Sequence, residues 1–544
     1  MLNWAGLAGI LVFYLLILAV GLWAAWRRKK SLESSADSDE VMLAGRNIGV
    51  FVGILTMTAT WVGGGYINGS AEETFKAGLI WTQAPFGYSL SLMLGGIFFA
   101  KKMREEGYTT MLDPLQNRLG RVMGGILFLP ALMGELFWSA AILGALGTTI
   151  NVILQLDQVV SFGDNLSIIV SAAIAVFYTL FGGLLSVAYT DVIQLICIFI
   201  GLWFSIPFAM THDAFTTLDI SENDWIGSIE SHWAGVWFDY AMLLICGGIP
   251  WQVYFQRVLS SKSPRRAQLL SFAAAGGCIF LAIPAVLIGA IAHGTKWELT
   301  EYGKTPAGTD TRFVLPLVMQ YMTPSWVAFI GLGAVSAAVM SSADSSVLSA
   351  STMFARNIYK NVLRPQASDG ETIIVMRLAI IATAVIATVI AIVVKSIYGL
   401  FFLCSDLVFV ILFPQLVTVV HMPRLTNTYG SFLAMLVGLT LRLAGGEALI
   451  GLPPGIEYWW YDPTDGQLFP FRTFSMVCSF ATLIGSSLLI EKAFTSGLLP
   501  AHLDFARCFG GEEDAATGLN YRPNQAEKNG LDNLGHEMTE TTGF

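Results

Sequence analysis

Charge is what this 544-residue chain has least of: Asp, Glu, Lys and Arg make up 13% of it, against 54% hydrophobic residues. An ordinary soluble domain carries about twice that share of charge. Together with apolar runs of 18 or more residues recurring along the chain, this excludes a soluble protein and predicts a polytopic membrane protein. Cysteine and histidine are also scarce, at six each. Cys197, Cys246, Cys278, Cys404, Cys478 and Cys508 form no CxxC pair, and the first five fall in apolar runs, so they read as small buried hydrophobes and neither as a disulfide framework nor as metal ligands. There is no GxxxxGK[ST] motif and no soluble segment large enough for an ATPase. No nucleophile and base stand at a spacing that would suit an enzyme. With a formal charge of −9, a nucleic-acid partner is not expected either. What remains for such a chain is passage of a solute driven by a gradient.

Thirteen spans are predicted, near 4–26, 47–72, 79–100, 120–149, 167–182, 187–210, 236–256, 267–293, 325–352, 372–394, 397–420, 428–445 and 473–491. The first is too long, with its basic residues on the wrong flank, to be a cleaved signal peptide. With the first residues outside, 23 of the 30 Lys and Arg fall on the cytoplasmic side, including Arg27-Arg28-Lys29-Lys30 and Lys101-Lys102-Met103-Arg104, which sets the orientation. Two of the spans are interrupted. Gly63-Gly64-Gly65 lies inside TATWVGGGYINGS (Thr58–Ser70), and Gly247-Gly248-Ile249-Pro250 inside LLICGGIPWQVYFQR (Leu243–Arg257). Relative to alanine, a helix loses about 1 kcal/mol at glycine and about 3 kcal/mol at proline. Unwound backbone survives in a bilayer only where it lines a cavity or is buried in protein. Two such breaks at corresponding places mark a transporter's midplane site, and here each opens a set of five helices that enter from opposite sides. The expected fold is therefore all-α, about thirteen transmembrane helices with a five-plus-five inverted-repeat core. Its parts are 1–46 (first helix and basic loop), 47–235 (first repeat), 236–425 (second repeat), 426–492 (two further helices) and 493–544, a polar cytoplasmic tail expected to be largely disordered. Trp225, Trp233, Trp459 and Trp460 lie in outer loops and read as interfacial anchors. Of two sequons, Asn165-Leu166-Ser167 is on the predicted outer side, close to a helix start.

Trp61 and Trp251 stand beside the two breaks, with Tyr88 and Trp138 at similar depth in their own spans. Aromatic faces converging without an acidic partner suit a quaternary ammonium, which has no N–H to donate and binds rings through cation–π attraction of about 0.5–2 kcal/mol each. The plainer reading, rings packed between helices, weighs most for Tyr88 and Trp138. The run from Ser336 to Ser351 is the richest in hydroxyls of any span, with four serines and an aspartate in the six residues from Ser341. Hydroxyls combined with carbonyls freed by a broken helix suit a hard alkali cation, although serines also permit close helix packing. Asp344 in that run and Asp191 after the Gly182-Gly183 turn are carboxylates within spans, costly enough to expect a function and placed where they can share an ion. Glu135 and Asp406 are further acids in spans, for which structural and substrate roles weigh equally.

MLAGRNIG from Met42, TATWVGGGYING, YTLFGGLLSVAYTD ending at Asp191 and VSAAVMSSADSSVLSASTMFARNIY resemble the sodium/solute symporter family from the first helix to the thirteenth. PALMGELFW, ending at Trp138, and GGIPWQVYFQRVLSS, from Gly247, are similar to its choline-carrying members. The resemblance implies symport of choline, dependent on Na+ and Cl−, at a plasma membrane and at presynaptic terminals in particular. It implies a sodium site from the carbonyls of Ala59, Val62 and Ala338 with the hydroxyls of Ser341 and Ser342, and a second on Asp191, Asp344 and Ser345. The choline cage it implies is Trp61, Tyr88, Trp138 and Trp251, the same four rings. One departure is Phe401 in Tyr398-Gly399-Leu400-Phe401-Phe402, where the family pattern has tryptophan, implying a weaker cage wall. A symporter of the same fold for a betaine, an amino acid or a sugar is the alternative. An ion channel or a non-transporting choline receptor is the alternative from another class, and concentrative uptake would eliminate it.

Overall fold

The computed structural model describes residues 4–31, 38–154 and 163–509; most of the polar tail lies outside the described residues. Among the described residues, secondary structure is helical apart from one two-residue hairpin pairing, Tyr461–Asp462 with Gly466–Gln467, and three isolated bridges. Among the described residues, eight helices are long and apolar enough to cross a bilayer, and the bent pair Val50–Trp61 and Gly64–Ala77 makes a ninth. Shorter or interrupted helices stand at the other expected spans: Leu7–Gly21, Ala84–Gly95 with its π-helical continuation, Asn165–Ile174 and Thr428–Ala444. Sequence-coded stops delimit several of them. Ser263 accepts the Arg266 N–H in front of Pro264 at the start of Pro264–His293, and Asn427 accepts the Gly430 N–H at the start of Thr428–Ala444.

The segment expected to hold two spans, 167–182 and 187–210, is helical over Gly163–Met210, and within it Leu184–Met210 is long and apolar enough to cross a bilayer, with the shorter apolar helix Asn165–Ile174 before it. Its packing nevertheless requires two antiparallel arms. Thr179 donates to Asp344 and Ser341 donates to Asp191. On a straight helix Thr179 and Asp191 would be about 18 Å apart along the axis, whereas Ser341 and Asp344 are separated by about 4.5 Å. Going up the chain, Ile174 and then Thr179 meet Met340 and then Asp344, whereas Asp191 and then Gly201 meet Ser341 and then Ala334. The chain therefore reverses between Thr179 and Asp191, where the glycine pair stands.

Lipid-facing and protein-facing sides separate as the membrane reading demands. On Asp369–Val393, Ile374, Leu378, Val385 and Val389 form an exposed stripe, while Ala379, Ala384, Ala387 and Ala391 are buried. Small residues on the inner face let the helices approach closely. The six cysteines are all free. Trp459 and Trp460 are exposed, as anchors at the interface would be, whereas the Trp225 indole is tied to the Leu218 carbonyl at 3.0 Å.

Candidate functional site: an aromatic cage beside a polar ion cluster

The two helix breaks are built by close approach. The first arm ends at Trp61, Val62 leaves the helix with φ −86° and ψ 54°, Gly63 is extended, and the second arm leaves at a 47° bend. A Cβ on Gly63 would lie 1.7 Å from Ser342 Oγ, and one on Gly64 1.7 Å from Val339 Cγ2. Only glycine lets this backbone run against the Ser325–Met353 helix. At the other break, Ala234–Gly247 ends where a Cβ on Gly247 would meet the Ser405 carbonyl at 2.6 Å. Trp251 is extended and opens Gln252–Leu259. Each break thus carries one tryptophan at its edge.

Those two indoles meet the other two predicted rings. Centroid separations are 5.0 Å for Trp61–Tyr88 and for Trp61–Trp138, 5.7 Å for Trp61–Trp251, 4.1 Å for Trp138–Trp251 and 6.1 Å for Tyr88–Trp138. Phe401 stands 6.1 Å from both Tyr88 and Trp138 and makes a fifth wall. All five are buried. The Tyr88 hydroxyl lies 3.0 Å from Ser405 Oγ, but the indole N–H groups of Trp61 and Trp251 are buried with no hydrogen-bond partner. Separations of 4.1–6.1 Å are ring-to-ring contact. A cation seated between two ring faces needs those faces farther apart than this, whereas here the rings are in contact with one another.

The predicted ion ligands gather on the far side of the first break. Val62 and Ala59 are fully buried at the end of the first arm, and Ser342 Oγ donates to the Thr60 carbonyl at 3.2 Å. Ser341 donates to Asp191, as does Thr56. Thr179 donates to one oxygen of Asp344 at 2.7 Å, and the other oxygen is buried without a partner. Ser345 Oγ is 3.4 Å from Thr60 Oγ1 and accepts from Arg257. Ala338 lies in the same helix as the serines, and its side-chain surroundings are outside the described residues. Glu135 accepts from Ser346 at 3.2 Å, and Asp406 belongs to a separate arginine cluster nearer the predicted outer side.

Three groups of this cluster escaped the sequence reading. Thr56 and Thr179 look like the many membrane threonines that bond back to their own helix, as Thr388 does to Ala384 O at 2.7 Å. Arg257 was hidden by its place near the basic cytoplasmic flank. The expected span stopped at 256, one residue short of it, whereas the structure carries the span to Leu259, and an arginine in a span calls for a partner.

The sequence profile of the Sodium:solute symporter family matches residues 41–438. The chain belongs to this family, whose members are symporters and not enzymes. It is similar to high-affinity choline transporter 1 of Drosophila melanogaster, at 60% identity over 93% of this chain and 82% of that protein. The Homo sapiens protein called high affinity choline transporter 1 is 53% identical over 92% of this chain and 87% of its own length. Among solved structures, a Na+-coupled sialic acid symporter in its substrate-bound outward-open state superposes with a TM-score of 0.72 at 17% identity, covering 89% of this chain and 98% of that one. At that identity the likeness concerns the fold.

Proposed function

We propose that this chain imports choline across the plasma membrane, coupled to sodium. The observation that carries the reading is the cage: five buried rings with no carboxylate bonded to them and two indole N–H groups without partners. The ring faces suit the trimethylammonium head, and an unpartnered indole N–H suits the choline hydroxyl, which accepts a hydrogen bond. Relatives named as choline transporters at 53–60% identity support the same substrate. The finer reading, with chloride as a second required ion and import at presynaptic terminals that supplies acetylcholine synthesis, rests on the family resemblance of the sequence.

In this reading Ala59, Val62, Ser341 and Ser342, with Ala338, hold one sodium ion between the first break and the Ser325–Met353 helix, and Asp191, Asp344 and Ser345 hold a second. An ion there ties the broken helix to its neighbour, while choline spreads and then closes the rings. Rocking of the helices bearing the breaks against the remainder carries the bound solutes across. The domain division expected from the sequence, with repeats at 47–235 and 236–425, belongs to the same proposal. Uptake of radiolabelled choline by cells expressing the chain, with sodium and chloride replaced one at a time, tests it. Uptake against a gradient that collapses without sodium is expected; uptake indifferent to sodium overturns the reading.

A further inference from the structure

Arg257 is 1% exposed and takes no part in the transport reading above. It stands on Gln252–Leu259, the second arm of the second broken helix. Its Nη2 donates to Ser345 Oγ and lies 3.6 Å from Asp191 Oδ2, and its Nη1 donates to Gln256 Oε1 at 3.2 Å. Its Nε is buried with no partner. The acids that act on it electrostatically are Asp191 and Glu135, and Asp344 in turn interacts with Asp191. The guanidinium thus has one ion-pair partner, Asp191, with Glu135 acting on it beyond ion-pair distance, and Asp344 keeps an oxygen without a partner.

Asp191 and Ser345 are two of the three side chains assigned above to the second sodium ion. A guanidinium and a sodium ion want the same oxygens, and a buried site with these few ligands does not hold both cations on them at once. The guanidinium is also the tether of its arm: through it, Gln252–Leu259 is fixed to the Gly163–Met210 and Ser325–Met353 helices. Gln256 supports the same docking more weakly, donating to the Met42 carbonyl at 3.1 Å and accepting from Ser349 at 3.0 Å. We propose that Arg257 is a tethered cation that competes with the second sodium ion for Asp191 and Ser345, so that arrival of the ion releases the inner arm. The arm stays docked while the ion is absent, which couples opening toward the cytoplasm to ion binding. This inference rests on the sodium-coupled choline reading.

The test is equilibrium binding of radiolabelled choline to the purified full-length protein as a function of sodium concentration. Arg257→Gln removes the competitor, so half-saturation should need at least about fivefold less sodium, the lower end of ordinary coupling between linked sites. Arg257→Lys keeps the charge without the fork and should move the midpoint the same way by less. A purely structural arginine would lower the amount of folded protein without moving the midpoint, and an unchanged or raised sodium requirement in Arg257→Gln overturns the proposal. If Arg257→Gln does not fold, the lysine variant decides: a lowered requirement supports the competition, and a wild-type or higher one overturns it. Failure of the wild-type protein itself to bind choline in a sodium-dependent way is a different result, and it removes the transport reading.

Discussion

Two clusters of buried charge sit at opposite ends of the site, and they are built to opposite standards. The one nearer the predicted outer side joins Arg442 and Arg472 to Asp406, Glu447 and Asp239. Glu447 Oε2 takes Arg442 at 2.6 Å and Arg472 at 2.7 Å, Arg442 also bonds Asp406 and, at 2.9 Å, the Gly446 carbonyl, and Asp239 accepts the backbone N–H groups of Arg472 and Thr473. Both guanidinium groups lie over the Phe471 ring. Its two unpartnered atoms, Asp406 Oδ1 and Arg472 Nε, face each other at 3.8 Å. The Arg257 cluster instead leaves Arg257 Nε, one Asp344 oxygen and one Glu135 oxygen buried with no bond. A half-satisfied buried network costs stability. The outer cluster is therefore made to hold the last two helices, Thr428–Ala444 and Phe471–Thr495, against the Ala234–Gly247 and Ile397–Leu407 helices. The inner one is made to exchange partners.

The comparison breaks most sharply at Arg442. Arg442→Ala leaves Asp406 and Glu447 short of a buried partner and should cost about 3–5 kcal/mol of stability, read as a large fall in unfolding temperature in detergent. Asp344→Asn removes a carboxylate that already lacks a partner on one oxygen and should leave the unfolding temperature nearly unchanged while weakening sodium dependence. Equal losses of stability in the two variants would erase the distinction between a fixed and an exchangeable cluster.

Next in size is the cage. Trp61→Ala or Trp251→Ala should abolish measurable choline binding, since each loses about 0.5–2 kcal/mol of cation–π attraction and opens a void among rings in contact. Phe or Tyr at either position should leave a weakened remnant. Trp459→Ala and Trp460→Ala, at exposed positions, should be silent. Choline affinity unchanged in both cage alanine variants would place the site elsewhere. A smaller effect is expected of Ser341→Ala and Ser342→Ala, each of which should raise the sodium needed for half-maximal uptake severalfold, with choline affinity at saturating sodium little altered. Because Ser341 is bonded to Asp191 and Ser342 to Thr60 O, their effects should differ in kind: only Ser341→Ala should change the behaviour of Arg257 variants.

Both breaks were legible because a glycine run or a proline weakens a helix through its own backbone, whatever apolar residues surround it. The rings were legible because tryptophan at mid-membrane is unusual beside a break. Phe401 was visible only as a departure from a family pattern, since a phenylalanine in an apolar run carries no signal of its own. The polar cluster proposed to hold the ions was half legible. Serines and aspartates in spans stand out by composition, but which oxygen meets which depends on helix rotation and on the reversal between Thr179 and Asp191, and neither is written in local periodicity. The role of Arg442 and Arg472 was not legible at all: each sits at a helix end, where a basic residue ordinarily needs no partner in the core.

The smallest expected effect is on pH. Glu447 lies in the loop between the last two helices. Burial alone would raise its carboxyl, but Arg472 and Arg442 overcome that and hold it below the ordinary carboxylate range. A carboxyl whose folded value is depressed adds stability that is fully present above its unfolded value and is lost as pH falls through the folded one. The outer cluster should therefore be indifferent to pH from neutrality down to about pH 5, then weaken as the medium passes below the ordinary carboxylate value of about 4.3. Unfolding temperature against pH measures this, with Glu447→Gln as the comparison. The variant should be less stable than the parent at neutral pH, and the gap should close in acid as the parent's carboxyl takes up its proton. A gap that stays constant across the acid range would mean that Glu447 acts through shape and not through its charge.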